Sequence, residues 1–151
     1  KENKTNFDRD KILRLPIRDK NFSEPNPTRP VITNKIVGKK LNEIKTIYIE
    51  IAGDEILGKQ IAGQISNEIK SAERFEITSD KENADAALKI YVRHESDVDA
   101  PDEKIVTAVV RLVNAEGFVV YPNRKKISGW KYVGEISRLP KRIADDLNKA
   151  K

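Results

Sequence analysis

The 151-residue chain has no cysteine and no methionine, and only one histidine and one tryptophan. Without cysteine there is no disulfide, no thiolate metal site and no cysteine nucleophile. A single imidazole is too little for a transition-metal centre. No apolar run approaches the roughly 18 residues that a membrane-spanning helix needs. No signal peptide stands at the start, and a chain that opens on Lys1 and lacks methionine reads as a processed product whose targeting segment has gone. Cysteine-free chains suit either side of a membrane, so the compartment stays open on these grounds. No Gly-x-Ser-x-Gly elbow occurs, and "GDEILGKQ" lacks the spacing of a phosphate-binding loop. Among 24 acidic residues nothing singles out a pair for acid–base work. These absences assign no catalytic residue, no metal site and no cofactor, and the chain is read as a non-enzyme.

What is there begins with charge, and the charge is uneven. Residues 1–40 hold 11 basic and 5 acidic residues, a net of +6, whereas residues 41–151 hold 18 and 19, a net of −1. The sequence pI of 9.3 therefore describes an arm and not a basic domain. Four of the seven prolines (Pro16, Pro25, Pro27, Pro30) lie in that arm. Proline removes a backbone donor and restricts the residue before it, so "NFSEPNPTRP" is expected to be extended. One piece differs: "KILRLPI", residues 11–17, is apolar enough to dock on the domain or on a partner as an added strand. Otherwise the arm reads as a solvated tether.

From about Leu41 the periodicity changes. In "KTIYIEIAG", Ile47, Ile49 and Ile51 alternate with Thr46, Tyr48 and Glu50, the pattern of a half-buried strand. Asp54 can cap the helix that follows, in which Leu57, Ile61, Ile65 and Ile69 recur every four residues. Gly58 and Gly63 cost helix propensity and would let this helix lie close on a sheet. "RFEIT" is a short strand, and "LKIYVRH" places Leu88, Ile90 and Val92 inward. "KIVTAVVRLVN" and "FVVYPNR" form a hairpin whose turn, Asn114 to Gly117, needs positive φ at Gly117. A last helix is expected to be capped by Ser137, with Pro140 in its first turn and Ile143, Ala144 and Leu147 on its apolar face. The order β-α-β-β-β-β-α predicts one α+β domain over residues 41–151. It is a two-layer sandwich of about five mostly antiparallel strands with two helices on one face.

Such a domain covers one sheet face, and here both faces of the Ile105–Val113 strand are apolar. Tyr91, Val109 and Tyr121 are candidates for an exposed patch on the second face, with Trp130 beside them as a further contact residue. The arm segment, a second copy of the chain or another protein are candidate covers. Surface β-branched residues tolerated by water are the plain alternative.

Three segments carry a resemblance: "ADAALKIYV" (84–92), "VRLVNAEGFVVYP" (110–122) and "RIADDLNKA" (142–150). Together they resemble the small α/β domains of bacterial envelope proteins. These include the curli-secretion channel lipoprotein, the lipoprotein activators of penicillin-binding proteins, and the N-terminal domain of the Tol-system propeller protein. The resemblance implies a domain in the periplasm, or at the outer membrane facing the periplasm, that works by contacts and brings no catalytic residue. It also implies a flexible N-terminal tether to the membrane through residues upstream of Lys1.

Two other chemistries are weighed. "HESDVDAPDE" (94–103) gathers His94 with four or more carboxylates in a loop, which a Ca²⁺ ion could use, although the spacing is not that of an EF-hand. A solvated connection between strands explains the segment as well. "NRKKISGWKY" (123–132) interleaves Arg124, Lys125 and Lys126 with Trp130 and Tyr132, so a nucleic-acid-binding module using the arm and this segment is the alternative function, while an exposed strand end whose Trp130 packs at the sheet edge explains the segment as well. The main expectation is docking onto a protein partner or a second copy.

Overall fold

The computed structural model describes residues 12–17, 38–94, 105–123 and 127–150. The expected α+β sandwich forms, with seven strands in one sheet and two helices over one of its faces. The strands are β1 (Leu13–Ile17), β2 (Thr46–Gly53), β3 (Glu76–Ile77), β4 (Ala86–His94), β5 (Ile105–Asn114), β6 (Val119–Tyr121) and β7 (Gly129–Glu135); the helices are α1 (Glu55–Ala72) and α2 (Leu139–Lys149). The sheet order is β1-β7-β5-β4-β2-β3, with β6 pairing β5 beyond the end of β7. β2 lies parallel to β3 and β4, and every other pairing is antiparallel.

Alternation builds the core. Ile47, Leu88, Ile90, Val92, Val106, Ala108, Val110 and Leu112 point from adjacent strands toward the helices and are buried. Leu57, Ile61, Ile65 and Ile69 of α1 and Leu139, Ile143, Ala144 and Leu147 of α2 close the layer from above. Asp54 caps α1 as expected, its Oδ1 accepting from the Leu57 amide at 3.0 Å. The other end of α1 turns through Glu73 at φ 63 and delivers Arg74 to the C-terminus of α2. There Nη1 lies 3.3, 2.7 and 2.5 Å from the carbonyls of Leu147, Asn148 and Ala150. A helix leaves its last carbonyls without internal donors, and one guanidinium satisfies them here while complementing the dipole.

Three local expectations change. β7 is a full strand where the sequence suggested at most a strand end around Trp130. The β5–β6 hairpin pairs only the far end of the ten-residue β5, so Ile105–Val110 needed another partner, which "GWKYVGE" supplies. The last helix starts at Leu139, with Arg138 at the N-cap and no side-chain cap. A turn closed by the Arg138 amide on the Glu135 carbonyl (3.0 Å) uses up Ser137 first. Residues 13–17 of "KILRLPI" dock on the domain as an added strand, as the sequence allowed, but on the edge of β7, so what changes is their candidacy as a cover: β1 widens the sheet and covers neither face. The hairpin turn is as expected: Gly117 sits at φ 93, and Asn114 Oδ1 accepts from the amides of Glu116 and Phe118, both at 3.0 Å.

Of the two glycines in α1, only one permits close approach. A Cβ on Gly58 would lie 2.1 Å from Ile51 Cγ2, whereas one on Gly63 meets nothing within 4 Å. Gly58→Ala should therefore destabilise by about 1–3 kcal/mol through overpacking. Gly63→Ala should stabilise by up to about 1 kcal/mol through helix propensity. Urea unfolding of the two variants checks this; equal signs would remove the packing role of Gly58.

Candidate interaction surface

Because successive side chains alternate, the register fixes which residues share the face away from the helices. One row across five strands reads Leu15, Lys131, Val109, Tyr91, Ala52. The neighbouring row reads Leu13, Val133, Thr107, Arg93, and on the other side Arg111, Lys89 and Glu50 align. Tyr91, Leu13 and Leu15 are 47%, 46% and 43% exposed, far above the core, while Val109 and Val133 are half-buried between their neighbours. Glu50 is engaged by Lys81 Nζ at 3.0 Å and Glu135 by Arg138 Nε at 3.7 Å. The face carries Leu13, Leu15 and Val133 toward β1 and Val109 with Tyr91 toward β4, with Lys131 between Leu15 and Val109 and with Lys89 and Arg93 on either side of Tyr91.

Of the four contact residues proposed from sequence, Tyr91 and Val109 are directly opposed on this face. Tyr121 and Trp130 are not on it. Tyr121 is in register with Leu112 and Trp130 with Val110, both inward-pointing positions, and they are 4% and 6% exposed. Leu13, Leu15 and Val133 take their place. The signal for them was the alternation of "KILRLPI" and of "GWKYVGE".

Trp130 and Tyr121 instead line a cleft of about 380 Å³ at the edge of the helix layer, together with Arg14, Pro122, Asp146 and Lys149. The Arg14 guanidinium stacks 4.2 Å from the centre of the Trp130 ring and reaches Asp146 Oδ2 at 3.3 Å. Asp146 also accepts from the Tyr132 hydroxyl at 2.8 Å and from Arg142 Nε at 3.1 and 3.2 Å. Burial pushes the Tyr132 hydroxyl far above the ordinary tyrosine range, helped by Tyr121 and Asp146, so it stays a donor to Asp146. Burial also raises the Tyr121 hydroxyl, which lies near that of Tyr132 but outside hydrogen-bond geometry. The acceptor positions of Asp146 are thus taken up in holding β1, β7 and α2 together.

A second cleft, of about 340 Å³, is lined by Gly38, Lys39, Glu43, Ala84, Asp85, Ala115 and Glu116. Of its three carboxylates, that of Asp85 is equally committed. Asp85 accepts from Lys39 Nζ at 2.7 Å and from the amides of Lys45 and Thr46 at 2.8 and 3.2 Å. Asn114 Nδ2 donates to the Lys39 carbonyl at 3.0 Å, which fixes the end of the arm beside the hairpin turn. Among the described residues no group of His, Asp and Glu is placed to hold a metal ion, and no helix is long and apolar enough to cross a membrane. His94 Nε2 stands 3.9 Å from Asp54 Oδ2; the rest of the 94–103 loop, and Arg124 to Lys126, lie outside the described residues.

No protein-family model matches the sequence, and no curated protein matches it. Among solved structures the chain is similar to the PelC dodecamer of Paraburkholderia phytofirmans, at 17% identity over 93% of this chain and 98% of that one, with a TM-score of 0.46. A variant of the same protein gives 18% identity over 77% and 96% and a TM-score of 0.47. The solution structure of an uncharacterized lipoprotein B from Nitrosomonas europaea gives 13% identity over 78% and 84%, with a TM-score of 0.35.

Burial alone would raise the Asp85 carboxyl, but the Lys39 ammonium and the two backbone amides outweigh it and hold the pKa below the ordinary value. A carboxyl whose pKa is lower folded than unfolded contributes stability above the unfolded value near 3.9, and that contribution is lost as pH falls through the folded value. Asp85→Asn should therefore melt below the parent at pH 7, with the gap closing as pH falls toward 3. Thermal melts across that range test it; a gap independent of pH would show that the ion pair and charged acceptor contribute nothing.

Proposed function

We propose that this chain is a non-enzymatic interaction domain of a bacterial cell-envelope assembly, acting in the periplasm or at the outer membrane facing the periplasm. The sheet face docks a protein partner, and the basic N-terminal arm sets the reach of the domain from its tether. The observation that carries the reading is the placement of Leu13, Leu15, Val109, Val133 and Tyr91 on the face opposite the helices. Exposed leucines on β1 and an exposed tyrosine on β4, joined across β7 and β5 by Val133 and Val109 and interspersed with Lys131, Lys89 and Arg93, give this face the mixed aliphatic, aromatic and basic composition of a contact surface. The envelope assignment is supported by the pattern of residues 84–92, 110–122 and 142–150, whose inward positions form β4, the β5–β6 hairpin and α2.

The geometry favours the face over the 123–132 segment. Trp130 and Tyr132 of that segment turn toward the helices, and the Trp130 ring is stacked by Arg14, so neither ring is free to stack on a base. A nucleic-acid reading would then rest on charge, from the arm and from Arg124 to Lys126, without stacking by either ring.

The test is capture of proteins from envelope extract by the full chain, alongside Tyr91→Ser and Tyr91→Ser/Leu15→Ser. Both positions are exposed, so stability should change by about 0.5 kcal/mol or less per site. Capture should fall at least tenfold in the double variant and persist at about 0.5 M salt, where surface charge is screened. A parent chain that captures nothing and is strictly monomeric by light scattering would sink the proposal. Capture that disappears with salt and ignores Tyr91 would point to the arm instead.

A further inference from the structure

β1 is separated from its partner strand by more than a hundred residues, and it is held by side chains as well as by the ladder. Arg14 is clamped between the Trp130 ring (4.2 Å) and Asp146 (3.3 Å). Ile12 fills a notch at Gly134, where a Cβ would come within 2.9 Å of Ile12 Cγ1. At the end of the strand, the Ser128 amide donates to the Ile17 carbonyl at 2.8 Å. The β7 edge therefore reads a particular extended segment, isoleucine followed two residues later by arginine, in the manner of strand addition.

The connection from β1 back to the domain is much longer than its own geometry needs. Ile17 is opposite Gly129 on β7, while Gly38 sits beside Asn114 and Glu116 at the end of β5, the next strand over. Two strand spacings across and about three residues along make a gap of roughly 14 Å, which about five extended residues would close. Residues 18–37 supply twenty, with a reach of up to about 66 Å. β1 itself stays largely exposed after docking, so little apolar burial ties it to its own domain.

We propose that the β7 edge, with the Gly134 notch and the Trp130–Asp146 clamp, is a strand-acceptor surface, and that in an assembly it takes residues 12–17 of a second copy of this chain. Docking within one chain and between two makes the same contacts, so concentration decides between them. The exchanged form grows as the chain approaches the effective concentration set by the connection, on the order of millimolar. Reciprocal exchange links two copies without a new interface, as in other domain swaps. It does not depend on the apolar sheet face, and either could hold without the other.

The absence of native cysteine makes the test clean. Leu15 and Lys131 are opposed on adjacent strands, within the distance a disulfide bridges. One preparation carries Leu15→Cys and another Lys131→Cys; they are mixed, unfolded and refolded together at about 0.1–1 mM, around the effective concentration of the connection, and oxidised. The expected result is a covalent dimer whose linked peptides join positions 15 and 131. Its yield should exceed severalfold that from Leu15→Cys with Lys89→Cys, a same-face position two strands further away. Adding Arg14→Ala to the Leu15→Cys chain should cut the yield severalfold. A single chain carrying both Leu15→Cys and Lys131→Cys, oxidised at about 1 µM, far below the effective concentration, should close on itself, confirming that both cysteines permit docking. The proposal is overturned if the double variant closes within one chain while the mixed singles give no more dimer than the Lys89→Cys control. Failure of the double variant to close would overturn it as well, by removing the pairing on which it stands.

Discussion

The pairing of β4 with β5 decides everything else in this molecule. Its ladder runs unbroken from Ala86 opposite Asn114 to His94 opposite Val106. A strand has two faces, and a slip of one residue would exchange them. With this register Leu88, Ile90 and Val92 meet Val106, Ala108, Val110 and Leu112 under the helices, while Tyr91 meets Val109 on the outside. The helices then have one place to go. Leu57, Ile61, Ile65 and Ile69 repeat at the spacing of a single stripe, and Gly58 lets that stripe settle against Ile51. The outer face is apolar for the same reason that the inner one is: β5 is rich in valine and isoleucine at both parities.

Much of this was legible beforehand. Strands that alternate cleanly, such as β2 and β4, and a helix with one residue type at every fourth position announce themselves, because their burial is decided locally. The outer-face pairing of Tyr91 with Val109 was legible for the same reason. Tyr121 and Trp130 were misplaced because their orientation is set by the partner strand. Tyr121 follows the β5 register past an irregularity between Leu112 and Val113, and Trp130 belongs to a strand whose existence depends on the unpaired half of β5. "GWKYVGE" does alternate, but its inward positions are Trp130, Tyr132 and Gly134, and an aromatic interleaved with lysine suggests a binding surface as readily as a buried one. Leu13 and Leu15 joined the surface through a pairing more than a hundred residues away, which no local window can see.

Four polar side chains beside the core follow one rule. Asp146 gathers Tyr132, Arg142 and Arg14; Asp85 gathers Lys39 and two amides; Arg74 gathers three carbonyls; Asn114 serves its own turn and the Lys39 carbonyl. A buried polar group left unpaired is expensive, so each is made to join segments distant in sequence. The result is that these charged residues near the core act as fasteners of the fold.

β1 also has an unusual place in time. It precedes every other strand of the sheet along the chain, yet its partner β7 ends at Glu135, so 118 residues of chain separate the completion of the two. At roughly 5–20 residues per second, the strand waits on the order of 6–24 seconds before it can pair. Throughout that interval Leu13 and Leu15 are presented on an unpaired segment that Pro16 keeps from acting as a fully competent strand template. The last rung added to the sheet is thus the first of its strands to be made, and a chaperone or a translocation apparatus would meet it as an open, proline-broken strand.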